Sequence, residues 1–138
     1  MANQVVESKI CGEDVFIKAD ADAVERVLMN LLSNAIKYSS VNSKTVVQTL
    51  LTGEFFGIKV QDEGKGITED KLNNIFEPFF RIKEEASSLV EGTGLGLTIV
   101  KHIMDAHKGK IEVNSTPGNG SIFTLLFPLV SNEKNINN

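Results

Sequence analysis

The chain is poor in the residues that staple a fold or hold a metal. It has one cysteine, Cys11, in 138 residues, which excludes an internal disulfide and a cysteine-rich zinc site. Its two histidines, His102 and His107, stand five apart, off a common helical face, which argues against a paired metal site. No apolar run approaches the ~18 residues of a membrane span, and no leader pattern opens the chain. A reducing, cytoplasmic setting without direct membrane contact is the expectation. Positive charge is not in excess: 14 Lys and Arg against 18 Asp and Glu leave a net charge of −4, and no block of like charges occurs. Nucleic acid is therefore not an expected partner.

What is present is the material of one domain. A chain of this length buries roughly 68% of its unfolded surface, enough for a core without staples. Residues 1–130 read as the folded unit and the polar stretch 131–138 as a frayed tail. Val15 to Ala19 suggests a short strand. Asp20 or Asp22 is placed to cap a helix running to Tyr38, in which Val24, Val27, Leu28, Leu31, Leu32 and Ala35 recur at helical spacing. Thr45 to Leu51 and Phe55 to Val60 form a hairpin pattern around Gly53. Thr68 heads a second helix with Leu72 and Ile75 on its apolar face, stopped by Pro78. A polar stretch from Arg81 to Gly92 reads as a mobile loop. Thr93 or Leu95 opens a third helix ending near Ala106, with Gly109 as its C-terminal glycine. Lys110 to Asn114 and Ser121 to Leu126 are the last strands, joined through the turn run Pro117-Gly118-Asn119-Gly120. The expected fold is an α/β (α+β) two-layer sandwich: a mixed, mainly antiparallel sheet of about five strands with three helices on one face.

Four stretches exceed the needs of core and turn. Asn30 and Asn34 share one face of the long helix, with Lys37 and Tyr38 a turn on, although asparagine competes with the helix backbone for hydrogen bonds. On composition alone a solvated polar face is the favoured reading. Asp62-Glu63-Gly64-Lys65-Gly66-Ile67 follows a strand directly. There an aspartate can accept from an amino group such as an adenine amine, or simply close a polar turn. Ile75-Phe76-Glu77-Pro78-Phe79-Phe80-Arg81 gathers three of eight phenylalanines around a proline, as a buried helix end or as a hinge with Arg81 ready for a phosphate. Glu91-Gly92-Thr93-Gly94-Leu95-Gly96-Leu97 precedes an apolar helix, so backbone N–H groups and the positive helix end can face phosphates. It is not a dinucleotide fingerprint, since residue 97 is Leu, and no P-loop occurs.

Together, and in this order, the four stretches resemble the N, G1, F and G2 boxes of the histidine-kinase catalytic and ATP-binding domain, a Bergerat-fold unit with an ATP lid. The resemblance spans about Val15 to Leu129. It implies binding of ATP or ADP with Mg²⁺, with Asn34 as the metal ligand and Asn30 beside it. Lys37 would contact phosphate, Tyr38 the nucleotide, and Arg81 the γ-phosphate during transfer. Asp62 would recognise adenine, with Gly64 and Gly66 opening the pocket wall and Ile67 against the base. Phe80, Gly92, Thr93, Gly94, Leu95, Gly96 and Leu97 would border the nucleotide, and Thr124 would support Asp62 through water. Asn34, Lys37 and Arg81 are the implied catalytic set.

The related ATPases carry a glutamate one turn before the metal asparagine, to activate a water. Asn30 stands there instead, and an amide is no general base at neutral pH. Transfer of the γ-phosphoryl group is then favoured over hydrolysis, resting on positioning and charge stabilisation. No phosphoacceptor pattern of the H-[ED]-x-[RK]-T-P kind occurs. His102 reads as solvent-facing and His107 as a helix C-terminal cation. The resemblance thus implies a monomeric catalytic module that does not phosphorylate itself. It would act on a dimerisation and histidine-phosphoacceptor domain of its parent, and through it on a response regulator. A serine kinase of the anti-sigma type and a non-catalytic docking module are the alternatives.

Overall fold

The computed structural model describes residues 5–9, 12, 15–39, 42–77 and 96–130, and of 5–9, 37 and 38 the backbone course alone. Helix α1 (Ala21–Tyr38) starts where the sequence supplies a carboxylate. Asp20 is extended and its Oδ1 accepts from the Asp22 N–H at 2.9 Å, satisfying a donor that the helix itself leaves orphaned. Every fourth residue of one face is buried: Val27, Leu31 and Ala35 are 0%, 2% and 3% exposed. Burying a Val or Leu side chain contributes about 1.5–3 kcal/mol, so this stripe fixes how α1 sits.

The stripe lies on a sheet of strands β1 (Val5–Lys9), β2 (Lys44–Thr52), β3 (Phe55–Gln61), β4 (Lys110–Ser115) and β5 (Ser121–Pro128), ordered β1-β2-β3-β5-β4. The β1–β2 pair is parallel and the other three are antiparallel. The hairpin of β2 and β3 turns at Gly53, in the left-handed region. Alternation then sorts the side chains. The row Val47–Val60–Phe123–Val113 belongs to the core shared with α1, whereas the next row, Gln48–Lys59–Thr124–Glu112, lies on the opposite face. Helix α2 (Glu69–Leu72) is a single turn after Thr68, and Leu72, Ile75 and Phe76 pack on the same core. Helix α3 (Gly96–Ala106) buries Val100 and Met104 against α1 and the sheet. The three described helices thus cover one face, and none is long and apolar enough to cross a membrane.

Two expectations need correction. The first strand is Val5–Lys9, not Val15 to Ala19. The latter segment makes one bridge, Ile17 to Leu129, and Phe16 accepts from the Val130 N–H at 2.7 Å. It runs past the end of the sheet into the α1 cap, so it has no partner strand. Val5–Lys9 has only two apolar residues and is a strand because β2 offers its edge. The second correction concerns Gly109. The left-handed residue closing α3 is Lys108 (φ 57°), with Lys108 N–H donating to Asp105 O at 3.1 Å and Gly109 N–H to Met104 O at 2.8 Å. This is the Schellman arrangement. Gly109 is required by space: a β-carbon there would lie 2.4 Å from Leu126 O and 2.7 Å from Met104 Cε.

Substitutions at these neighbours should therefore have opposite effects. Gly109→Ala is expected to destabilise the domain by about 1–3 kcal/mol, as overpacking does. Lys108→Gly removes a left-handed side-chain penalty of roughly 1 kcal/mol and should leave stability equal or higher. Urea unfolding of the two variants measures both.

Candidate functional site

Asp62 ends β3, opposite Ser121 of β5. The Asp62 N–H donates to Ser121 O at 2.9 Å, and the Ser121 N–H donates back to Asp62 Oδ1 at 3.2 Å. The same Oδ1 accepts from the Gly64 N–H at 2.8 Å. One carboxylate oxygen is thus held by two backbone donors, while Oδ2 accepts from no described residue. Burial of this half-exposed carboxyl raises its pKa above the ordinary aspartate value, and the Gly64 and Ser121 N–H groups offset part of that rise.

The loop behind Asp62 is clamped by the β4–β5 turn. Gly118 N–H donates to Lys65 O at 2.6 Å, and Ile67 N–H donates to Ser115 Oγ at 2.7 Å. Ser115 Oγ in turn lies 3.0 Å from Gly120 O and 2.8 Å from the buried Ser121 Oγ. Gly66 and Gly120 have positive φ, and β-carbons there would lie 2.2 Å from Thr116 O and 2.1 Å from Asp62 O. Gly66 therefore lets the loop meet the turn. Gly64 is buried and serves through its N–H. Ile67 is half-buried against the core.

Thr124 is misplaced by sequence reasoning. It lies on the sheet face away from the helices, in register with Lys59 and Glu112. The hydroxyl residue beside Asp62 is Ser121, three positions earlier; an odd offset along a strand reverses the face. Ser115, Ser121 and the Thr116–Gly120 turn were missed because their role depends on pairing across the sheet. The Pro117-Gly118-Asn119-Gly120 run was legible only as a turn.

Helix α1 carries the second part of the site. Asn30 and Asn34 are half-buried, and neither carboxamide has a hydrogen-bond partner among the described residues. A β-carbon on Gly96, the first residue of α3, would lie 3.3 Å from Asn30 Oδ1. The asparagine face is thereby brought to the start of α3, where Leu97 packs on the core. At its other end α1 reaches the Asp62 loop, since Ser39 bridges Gly64. Thr98 Oγ1 donates to Phe76 O at 2.9 Å, tying the phenylalanine stretch to α3. Of the remaining expected positions, Phe80, Arg81, Gly92, Thr93, Gly94 and Leu95 lie outside the described residues, as do Pro78, the Arg81–Gly92 loop, the 131–138 tail and the side chains of Lys37 and Tyr38.

An aspartate at a strand end and an asparagine-bearing helix meeting a glycine-led helix form one constellation. Residues 19–131 match the family model described as histidine kinase-, DNA gyrase B-, and HSP90-like ATPase. The chain belongs to that family. Within it, the chain is 42% identical over 113 residues to the sensor histidine kinase ZraS of Escherichia coli K12, covering 82% of this chain and 23% of that protein. It is 40% identical over 112 residues to the sensor-like histidine kinase SenX3 of Mycolicibacterium smegmatis, covering 81% and 29%. The chain therefore spans less than a third of either relative. Among solved structures, the catalytic domain of histidine kinase ThkA superposes with a TM-score of 0.77 at 31% identity, over 91% of this chain and 80% of that one. Full-length ShkA in complex with AMPPNP does so at 0.79 and 25%, over 94% and 26%. The fold is that of the histidine-kinase catalytic domains, the Bergerat fold.

The Asp62 environment has a measurable cost. Its raised pKa means that its stabilising contribution is fully present below the ordinary aspartate value and is lost as pH rises through the raised one. Asp62→Asn keeps an oxygen for both backbone donors and carries no charge. Its melting temperature is expected to match or exceed that of the parent chain at pH 7, with the gap narrowing as pH falls through the Asp62 titration. Paired thermal melts between pH 3 and about 7 check this.

Proposed function

We propose that the chain is the Mg-ATP-binding catalytic domain of a sensor histidine kinase, with residues 1–130 as the unit, donating the γ-phosphoryl group to a histidine on a separate phosphoacceptor domain. The observation that carries this reading is a set of polar groups left without partners among the described residues. Asp62 Oδ2 and the carboxamides of Asn30 and Asn34 are half-buried and accept or donate to no described residue. Partly desolvated polar groups are costly unless something bonds to them. Asp62 Oδ2 suits an exocyclic amine, since an ionised carboxylate only accepts.

The same set fits a magnesium ion accompanying phosphates. Among the described residues no group of three His, Cys, Asp or Glu side chains forms a cage. A single Asn34 amide oxygen suits Mg²⁺, a hard ion that keeps several waters and takes its other ligands from substrate phosphates. Bound there, the ion would neutralise charge on the phosphate oxygens. The chain's own part is to grip and orient. Asp62 holds the base, Ile67 lies beside it, and Asn30 and Asn34 face the phosphate end with Gly96 and Leu97 at its border. Lys37, Tyr38 and Arg81 are assigned phosphate, nucleotide and transfer contacts on sequence. An amide at position 30 leaves no general base on a water, which favours transfer over hydrolysis.

Two measurements test the proposal. Saturating Mg-ADP at about 100 times its dissociation constant should stabilise the chain by roughly 2.7 kcal/mol. Asp62→Asn should abolish that gain although its own fold is intact, and Asn34→Ala should remove the magnesium dependence. With labelled ATP, a histidine-bearing dimerisation domain supplied in trans should take up label. Label on a partner serine would favour the anti-sigma type, and no nucleotide affinity at all would leave a docking module.

A further inference from the structure

The nucleotide reading leaves His107 unused, yet it is the most constrained side chain at the far end of the helix pair. The Asp20 N–H donates to His107 Nε2 at 3.1 Å. A ring that accepts through Nε2 carries its N–H at Nδ1, and His107 Nδ1 lies 2.8 Å from Ile103 O, one turn back on α3. The ring also meets Phe127 of β5 edge-to-face, with centroids 6.2 Å apart and planes at 86°. Both ring nitrogens are therefore committed to backbone groups. The residue it holds is no ordinary one: Asp20 is the N-cap of α1, whose Oδ1 and carbonyl start the helix through Asp22 and Val24.

Helices α1 and α3 run antiparallel and touch at two ends. At one end His107 grips the α1 cap; at the other, Asn30 faces Gly96 at 3.3 Å from its would-be β-carbon. From Asp20 to Asn30 is ten residues and from Gly96 to His107 eleven, each about 15–17 Å of helix. The His107 bond is therefore a register pin for the whole overlap. Sliding α1 against α3 would break it at one end and misplace the asparagine face at the other. Asp62, by contrast, is built on β3, β5 and the β4–β5 turn, and α1 meets its loop at Ser39, beyond the stretch that overlaps α3.

We propose that His107 is a positioning residue for the phosphate end of the nucleotide site: it locks α1 to α3 in the register that presents Asn30 to the start of α3, with Asn34 one turn further along α1. This rests on the nucleotide-binding reading above. It separates His107 from a plain stability residue, because the two ends of one ligand should respond differently.

The test uses the whole chain, well below its melting temperature. His107→Phe keeps a ring against Phe127 and loses both hydrogen bonds. His107→Gln restores an acceptor for the Asp20 N–H. Mg-ADP affinity is measured by calorimetry and adenosine affinity by chemical-shift titration. One lost neutral hydrogen bond corresponds to about a three- to tenfold change in affinity. His107→Phe should weaken Mg-ADP by that factor and leave adenosine unchanged. His107→Gln should recover most of the loss, and hydrogen exchange at the Asp20 amide should quicken in the Phe variant only. Equal weakening of adenosine and Mg-ADP, or no change in either, overturns the assignment. Should the Phe variant not fold, an intact Gln variant with parental Mg-ADP affinity supports the pin, and one bearing a selective Mg-ADP loss despite a protected Asp20 amide refutes it. Failure of the parent chain to bind either ligand would refute the nucleotide reading itself.

Discussion

The asparagine half of the site depends on the burial of one stripe on α1. Val27, Leu31 and Ala35 are sealed against the sheet and α3, and that sets the rotation of the helix about its axis. Asn30 and Asn34 are each one residue before a buried position, so the rotation that hides Leu31 and Ala35 brings both carboxamides to the rim of the core. They are neither swallowed by it nor turned to bulk water. A helix rotated by one residue, about 100°, would spoil core and site together. The packing that stabilises the fold is thus also what aims the polar groups, and hydrophobic burial supplies the orientation that the carboxamides cannot supply for themselves.

The Asp62 end shows the opposite relation between stability and site. Its carboxylate is partly withdrawn from water and is compensated through one oxygen only, which leaves its ionised form less favourable in the fold than in the unfolded chain. The surroundings are correspondingly rigid. Two positive-φ glycines and a serine pair allow the Asp62 loop and the β4–β5 turn to approach at backbone distance. A carboxylate left to wander would turn outward and solvate itself. Pinning Oδ1 by the neighbouring strand and by Gly64 prevents that.

How much of this was legible in the sequence follows from the range of each interaction. Amphipathic period and capping gave α1 to within a residue, because both signals are local. The hairpin and the last two strands were equally clear. Val5–Lys9 was not, since an edge strand with two apolar residues takes its structure from β2. The motif stretches singled out Asn30, Asn34 and Asp62, each of which keeps a polar side-chain atom without a hydrogen-bond partner among the described residues. The partners of Asp62 were beyond reach. Choosing Thr124 over Ser121 required the register of β5 against β3, and one odd step along a strand exchanges the two faces of the sheet. Gly109 was read as a helix stop, when it is mainly a close approach to Leu126, and the approach of Gly66 to Thr116 likewise joins segments far apart in sequence. His107 carried a local signal, a histidine at a helix end, that pointed away from its bond to Asp20, 87 positions distant.

These partners divide the site between two scaffolds. The base end is made by strands and a tight turn, where neighbouring backbone hydrogen bonds resist displacement in every direction within the sheet. The proposed phosphate end is made by two helices, whose interface is apolar and non-directional, so a slide along the axis is opposed by the packing of Val27, Leu31, Val100 and Met104 and by no directional bond among them. A polar contact at one end of the pair is the inexpensive way to remove that freedom, because a hydrogen bond is directional where packing is not. An adenine pocket needs only a fixed shape. On the proposed reading, phosphates and their ion would need groups from separate elements in one alignment, and the His107 contact would supply that constraint at the far end of the helices, out of the ligand's way.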